Sequence, residues 1–297
     1  MKNKEMKSNM LLLLTAVIWG FAFVAQSVSM KYVGTFTFNG VRFALGSISL
    51  IPLIFYFKKK SVKEQSEKGT PSSALLPGIF TGLILFLASS LQQAGLAYTT
   101  AGKAAFITGL YIVIVPLLGI FLKHRISVNT WLGVVLAVSG LYFLSINENF
   151  TIGIGDSLEI IGAFFWAIHI LAIDHFTKKA DPLKLSFTQF ATCSVLSLIV
   201  AFIIEDVSIS GISQAAIPIL YGGILSVGVA YTLQVVAQKH ARPSRAAIIL
   251  SMETVFAAIG GTVLLNQNLA SREYIGCALM MAGMLLTQIN FSKKALQ

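Results

Sequence analysis

The chain has 297 residues, of which 56% are hydrophobic and 11% charged, and its mean hydropathy is +0.79. Soluble domains carry about 25% charged residues, so this chain cannot clothe a water-facing surface and reads as an integral membrane protein in contact with a lipid bilayer. The formal charge of +10 sits in short clusters between apolar runs, a pattern that excludes a continuous nucleic-acid-binding face.

A transmembrane helix needs about 20 apolar residues. Ten such stretches are predicted in chain order, at 10–29, 36–57, 74–96, 101–122, 128–147, 157–176, 185–204, 214–237, 244–264 and 272–291. Lys2, Lys4 and Lys7 precede the first, as in a signal peptide. Because further spans follow, the segment reads as a retained first helix. Pro77 and Pro218 fall near helix starts, where proline is tolerated, whereas Pro52 and Pro116 fall inside helices and predict kinks. The run SRAAIILSMETVFAAIGGTVL at 244–264 reads as one apolar helix with Glu253 near its middle. Cys193 and Cys277 lie in apolar runs and read as small buried hydrophobes rather than a disulfide or metal pair.

Basic residues set the orientation. With the N-terminus in the cytoplasm, 18 Lys and Arg fall on the cytoplasmic side. The other side holds 3, namely Lys31, Lys103 and Arg272, with Arg42 just inside a helix. Both termini are therefore expected in the cytoplasm and the protein in the plasma membrane.

The chain also repeats. LLTAVIWGFAFVAQ in the first span matches EIIGAFFWAIHILAID in the sixth, which places Trp19 over Trp166. FNGVRFA matches LSFTQFA, Gln93 matches Gln234, and GKAAFITGLYIVIVP matches PSRAAIILSMETVFA. The last match sets Lys103 over Arg245 and Tyr111 over Glu253. Gly133 and Gly140 match Gly276 and Gly283. Each copy, 10–147 and 157–291, holds five spans. An odd number inverts the second copy, an arrangement transporters use for alternating access around a midplane site.

The early Trp19, the pair Arg42–Phe43, YTTAGKAAFI at 98–107 and METVFAAIGG at 252–261 resemble the EamA domains of the drug/metabolite transporter superfamily. The resemblance spans about residues 10–290. It implies an all-α membrane fold of ten helices in two inverted five-helix repeats, with export or exchange of small metabolites such as amino acids. Many members carry proline after the acid matching Glu253. Here Thr254 stands there, so an unbroken helix is expected.

Candidate substrate-binding residues follow from polar groups set in apolar helices. Glu253 fits a protonatable coupling group, a ligand for a substrate amine, or a carboxyl bonded to a neighbouring helix. Arg42 fits a carboxylate ligand or a side chain snorkelling to the interface. Trp19 and Trp166 fit cavity walls or helix packing, and Tyr111 is the match of Glu253. His169 shares a stripe with Glu159 and Trp166 and reads chiefly as a packed, hydrogen-bonded histidine. Gln93, Gln189, Tyr231 and Gln234 need buried partners. This neutral lining with few charges suits a zwitterionic or uncharged solute. The paired glycines read as packing or dimer seams, which leaves a homodimer open.

The GIGD run at 153–156 resembles a motif of membrane-embedded aspartyl proteases. It sits in a predicted loop, with Asp156 as helix cap and Glu159 as the acid at N3. No HExxH, GxSxG, Walker A or zinc spacing occurs, and nothing calls for a cofactor or metal. The leading expectation is a secondary transporter of small metabolites, working in the export direction. A passive facilitator or exchanger comes second, and a membrane-embedded protease is the alternative from another class. Asn149-Phe150-Thr151 is a formal glycosylation sequon, with no glycan expected in a bacterial protein.

Overall fold

A computed structural model describes residues 2–61, 73–99, 101–124, 126–145, 153–265 and 271–288. The sequon at 149–151 and the basic residues Lys63, Lys68, Arg125, Lys293 and Lys294 lie outside them. The described residues are helical apart from short connections. Eight stretches are long and apolar enough to cross a bilayer: Lys4–Ser29, Thr35–Tyr56, Leu75–Gly95, Ala101–Phe121, Ile154–Phe176, Pro182–Ile204, Ala216–Gln238 and Pro243–Leu264. Two shorter apolar helices, Val128–Phe143 and Tyr274–Thr287, stand at the places of the fifth and tenth predicted spans. The protein is thus an all-α, multi-pass membrane protein.

The first three helices are continuous: α1 (Lys2–Ser29), α2 (Thr35–Ser61) and α3 (Leu75–Gly95). The fourth span is two pieces, α4 (Ala101–Gly109) and α5 (Tyr111–Phe121), joined at Leu110. The chain continues through α6 (Val128–Ser145), α7 (Ile154–Phe176) and α8 (Pro182–Ile204). A short α9 (Ile209–Gln214) then leads into a composite helix. It comprises α10 (Ala216–Leu220), a π-helical segment (Tyr221–Tyr231) and α11 (Thr232–Gln238). The ninth span is again two pieces, α12 (Pro243–Leu250) and α13 (Glu253–Leu265), and α14 (Ser271–Gln288) closes the described chain.

The helix expected to run unbroken through 244–264 is therefore interrupted at Ser251–Met252, without a proline. The interruption is a tightened turn: Met252 N–H bonds the Ile249 carbonyl at 3.2 Å and Thr254 N–H bonds Ser251 at 3.1 Å. The matching break at Leu110 has the same form, with Leu110 N–H on Ile107 at 3.0 Å and Val113 N–H on Leu110 at 3.0 Å. Such i→i−3 bonds keep most backbone groups paired where no water is at hand. Pro116 lies inside α5, five residues after Tyr111.

Large apolar side chains on the outside of the bundle, such as Leu76, Phe121, Phe202 and Ile203, are exposed, as lipid contact requires. α6 packs chiefly on α14. A Cβ at Gly140 would lie 2.6 Å from the Gly276 carbonyl oxygen and 2.8 Å from Met280 N, and one at Gly283 would lie 2.7 Å from the Gly133 carbonyl oxygen. The glycine faces are spent on each other within one chain, as dispersion-driven helix contact in lipid favours. Gly102, by contrast, faces open space.

Gly283→Leu should therefore destabilise the bundle by about 1–3 kcal/mol or more, because backbone cannot move aside as a side chain can. Gly102→Ala should be close to neutral. Thermal melting of both variants in the same detergent checks the contrast.

Candidate functional site

A cavity opens where α1, α2, α3, the two broken spans, α7 and the π-helical segment meet. Its free volume is about 30 Å³, room for two or three waters at ~10–15 Å³ each. Trp19, Arg42, Tyr111, Trp166, Tyr231, Gln234 and Glu253 line it, with Gln26, Gln92, Thr108 and Ser226 adding neutral polar groups. No lining residue comes from α6 or α14.

The two helix breaks meet here. Tyr111 is the first residue of α5 and Glu253 the first of α13, and the Tyr111 hydroxyl donates to Glu253 Oε1 at 2.9 Å. Residues that match one another in the sequence repeat thus bond directly. Glu253 is 4% exposed and sits at a helix N-terminus, where the macrodipole favours negative charge. The neighbouring Thr254 hydroxyl donates to the Ala105 carbonyl on α4 at 3.1 Å. The residue standing in place of a proline thereby ties one broken helix to the other.

Tyr231 centres the aromatic wall. Its ring lies 4.5 Å from Trp19, is stacked against Trp166 at 6.1 Å, and is 5.9 Å from both Phe43 and Phe190. Widening the helix to π register over Tyr221–Tyr231 changes which carbonyls are free to accept. The Ser226 carbonyl takes the Trp19 indole N–H at 3.3 Å, and the Ala230 carbonyl takes the Thr15 hydroxyl at 3.2 Å. π segments often mark functional sites. Periodicity carries no signal for this one, because a π turn preserves composition and is chosen by packing.

Arg42 does not snorkel. It is 1% exposed, about 10 Å along α2 from Thr35. Its guanidinium carbon lies 5.0 Å from the Phe38 ring centre and 5.0 Å from that of Phe43. Nε and Nη2 have no hydrogen-bond partner.

Two expected site residues stand behind the wall. Gln93 donates Nε2 to the Gln26 carbonyl at 3.3 Å, and its neighbour Gln92 takes the lining position, a rotation of one residue about α3. His169 is fully buried, with Nε2 3.0 Å from Gln189 Oε1, and its ring is edge-on to Trp166. Gln238 bonds the Ile170 carbonyl at 2.9 Å. These groups tie helices together, as buried polar side chains in a bilayer must.

Glu159 was legible only as part of a stripe. It is fully buried, accepts the Thr108 hydroxyl at 3.0 Å, and Thr108 in turn accepts Gln92 Nε2 at 3.1 Å. The helix start explains why it was missed. Gly153, not Asp156, occupies the cap position, Asp156 is the N3 acid accepting Gly153 N–H at 2.8 Å, and Glu159 falls a turn inside. Asp156 also pairs with Lys103 at 2.6 Å and accepts Thr99 at 3.1 Å. At the other end of α7, Asp174 pairs with Lys178 at 2.8 Å. Eighteen residues of helix put the two aspartates about 27 Å apart, so they cannot share a proteolytic water. Arg245, the match of Lys103, pairs with Glu5.

The sequence matches the EamA-like transporter family model twice, over residues 6–146 and 153–289. It is 30% identical to an uncharacterized transporter of Archaeoglobus fulgidus, over 96% of this chain and 87% of that one. It is 27% identical to the threonine/homoserine exporter RhtA of Salmonella typhimurium, over 92% and 88%. A solved crystal structure superposes with TM-score 0.74 at 17% identity, covering 94% of this chain and 96% of that one, a likeness of fold. Family and relatives are transporters and not enzymes. This chain, whose polar groups converge on a cavity between broken membrane helices, belongs to the EamA-like transporter family of the drug/metabolite transporter superfamily.

Proposed function

We propose that the protein is a secondary transporter that exports small metabolites, amino-acid-like or amphipathic, by alternating access between two inverted five-helix halves, 10–147 and 157–291. The observation that carries this reading is the Tyr111–Glu253 hydrogen bond, which joins matched residues at matched helix breaks inside the cavity. Discontinuous helices at a repeat interface are where transporters place their sites. A free volume of about 30 Å³ is too small for an amino acid, so the helices must part to admit one. The aromatic wall suits an amphipathic body, and the named activity of RhtA supports an amino-acid-like solute moving outward. The nine candidate ligands are Trp19, Arg42, Gln93, Tyr111, Trp166, His169, Tyr231, Gln234 and Glu253, with Gln93 and His169 acting through their neighbours.

Both termini lie in the cytoplasm of a cell whose plasma membrane holds the protein, on the charge asymmetry of 18 to 3. Cysteines introduced in loops 58–69 and 148–156 should label from opposite sides with an impermeant reagent. Labelling from one side would remove the inverted arrangement.

Glu253 couples transport to protons. An ionised carboxylate without a partner in this setting costs several kcal/mol, so it is protonated or paired during part of the cycle. Glu253→Gln should keep the bond to Tyr111 and abolish concentrative, pH-dependent transport in proteoliposomes, while solute exchange without a proton gradient persists. A variant that concentrates solute with unchanged pH dependence would leave Glu253 structural and the protein a passive facilitator or coupled elsewhere.

A further inference from the structure

We propose that Arg42 is the anion-binding half of the site, and that the transported solute carries a carboxylate that docks on its guanidinium. This deepens the transport reading and rests on it. Moving an ion of this size out of water is costly even after relaxation. The two flanking rings at 5.0 Å offset part of that cost, but a ring face is no hydrogen-bond acceptor in the plane of the guanidinium, and Nε and Nη2 are buried without acceptors. Ion pairs among the described residues join Lys103 to Asp156, Lys178 to Asp174 and Arg245 to Glu5, and none reaches Arg42. A charge left in that condition is destabilising unless something anionic meets it. Arg42 lines the cavity, and a guanidinium offers a planar fork of donors matched to a carboxylate.

The surroundings fit one end of a small solute. Gly222 lies against Arg42, where a Cβ would stand 3.4 Å from Arg42 Cδ and 3.2 Å from Phe38 Cζ. A larger residue there would crowd the Arg42 side chain and the Phe38 ring. Glu253 enters from other helices: α2 packs chiefly on α8 and the π-helical segment, and α13 chiefly on α1 and α4. The cavity therefore has an anion-binding group and a carboxyl group on separate helices, with Trp19 and Tyr231 also in its wall. That layout selects a carboxylate with an apolar or weakly polar body over an amine lacking one.

The test uses the protein's own indoles. Trp131→Phe leaves Trp19 and Trp166, both in the cavity wall. Threonine, homoserine, leucine and phenylalanine are titrated against intrinsic fluorescence, each beside its carboxamide. The acids should give a saturable change, and the carboxamides should bind at least tenfold more weakly. Arg42→Met, which keeps the bulk and removes the charge, should abolish that preference. Carboxamides that bind as well as acids overturn the proposal, as does a panel in which no acid binds. The native acid–amide comparison decides even where the Met variant fails to fold. Counterflow in proteoliposomes with the same panel keeps the two readings apart. Carboxamides carried as fast as acids would leave transport standing and remove the role of Arg42.

The two matched ion pairs support a second inference, independent of Arg42. Lys103 and Asp156 stand at the starts of α4 and α7, and Arg245 and Glu5 at the starts of α12 and α1. Three spans are crossed from the start of α1 to the start of α4, and three from the start of α7 to the start of α12, and an odd number of crossings places these pairs at opposite ends of the bundle, each joining one half of the chain to the other. We infer that they are alternate locks: the Lys103 pair opens when the cavity faces its end, and the Arg245 pair when it faces the other. Cys193→Ala, Cys277→Ala and Ser226→Cys leave one thiol in the cavity wall. Lys103→Gln should raise its labelling by an impermeant maleimide severalfold from the Lys103 end, and Arg245→Gln from the Arg245 end, with Asp156→Asn repeating the first result. Changes from the same end, or no change in any variant, overturn the inference.

Discussion

Within a bilayer every backbone and side-chain polar group must find its partner in the protein. Two broken helices meeting in the centre of the bundle make that demand acute. The breaks at Leu110 and Ser251–Met252 keep their amides bonded through i→i−3 turns. Each break then leans on the other: Tyr111 donates to Glu253, and Thr254 donates to Ala105. The cavity, the approach of α1 and the placing of Glu253 all depend on this mutual support. Removing the Tyr111 hydroxyl would leave a buried carboxyl oxygen of Glu253 without its donor, at about 1–3 kcal/mol.

The same demand explains the outer parts of the site. The π-helical segment leaves carbonyls that α1 satisfies with Thr15 and Trp19. Gln93, His169 and Gln238 do equivalent work between α1, α3, α7, α8 and α11. The rigid scaffold is a set of polar ties and glycine contacts, and the buried groups left without ties include Gln26, Arg42, Trp166 and Gln234 of the cavity wall. Arg42 is the extreme case, since its surroundings supply aromatic faces and no counter-charge.

Glu205 provides a tie of another kind. Its carboxylate accepts N–H of Phe36 at 2.7 Å and of Thr37 at 2.8 Å, together with the Thr37 hydroxyl at 2.7 Å. It caps the start of α2 with the end of α8, and those two helices pack along much of their length. One half of the chain thus holds the helix that carries Arg42 by the first turn of that helix, where a carboxylate is favoured.

Much of the fold was legible in the order of residues, because apolar runs of spanning length and the segments that match one family model twice are written directly in composition and spacing. The matches of Tyr111 with Glu253 and of Lys103 with Arg245 came from the repeat alone, and so did the family resemblance. Tertiary structure decided what one-dimensional patterns do not encode. It set the rotation of α3 that exchanges Gln92 for Gln93, the π register of 221–231, the start of α7 that buries Glu159, and the break before Glu253 where no proline stands. Each is a shift of about one residue or one turn that costs little locally. Each is settled by whether a donor on another helix is there to meet the group it frees.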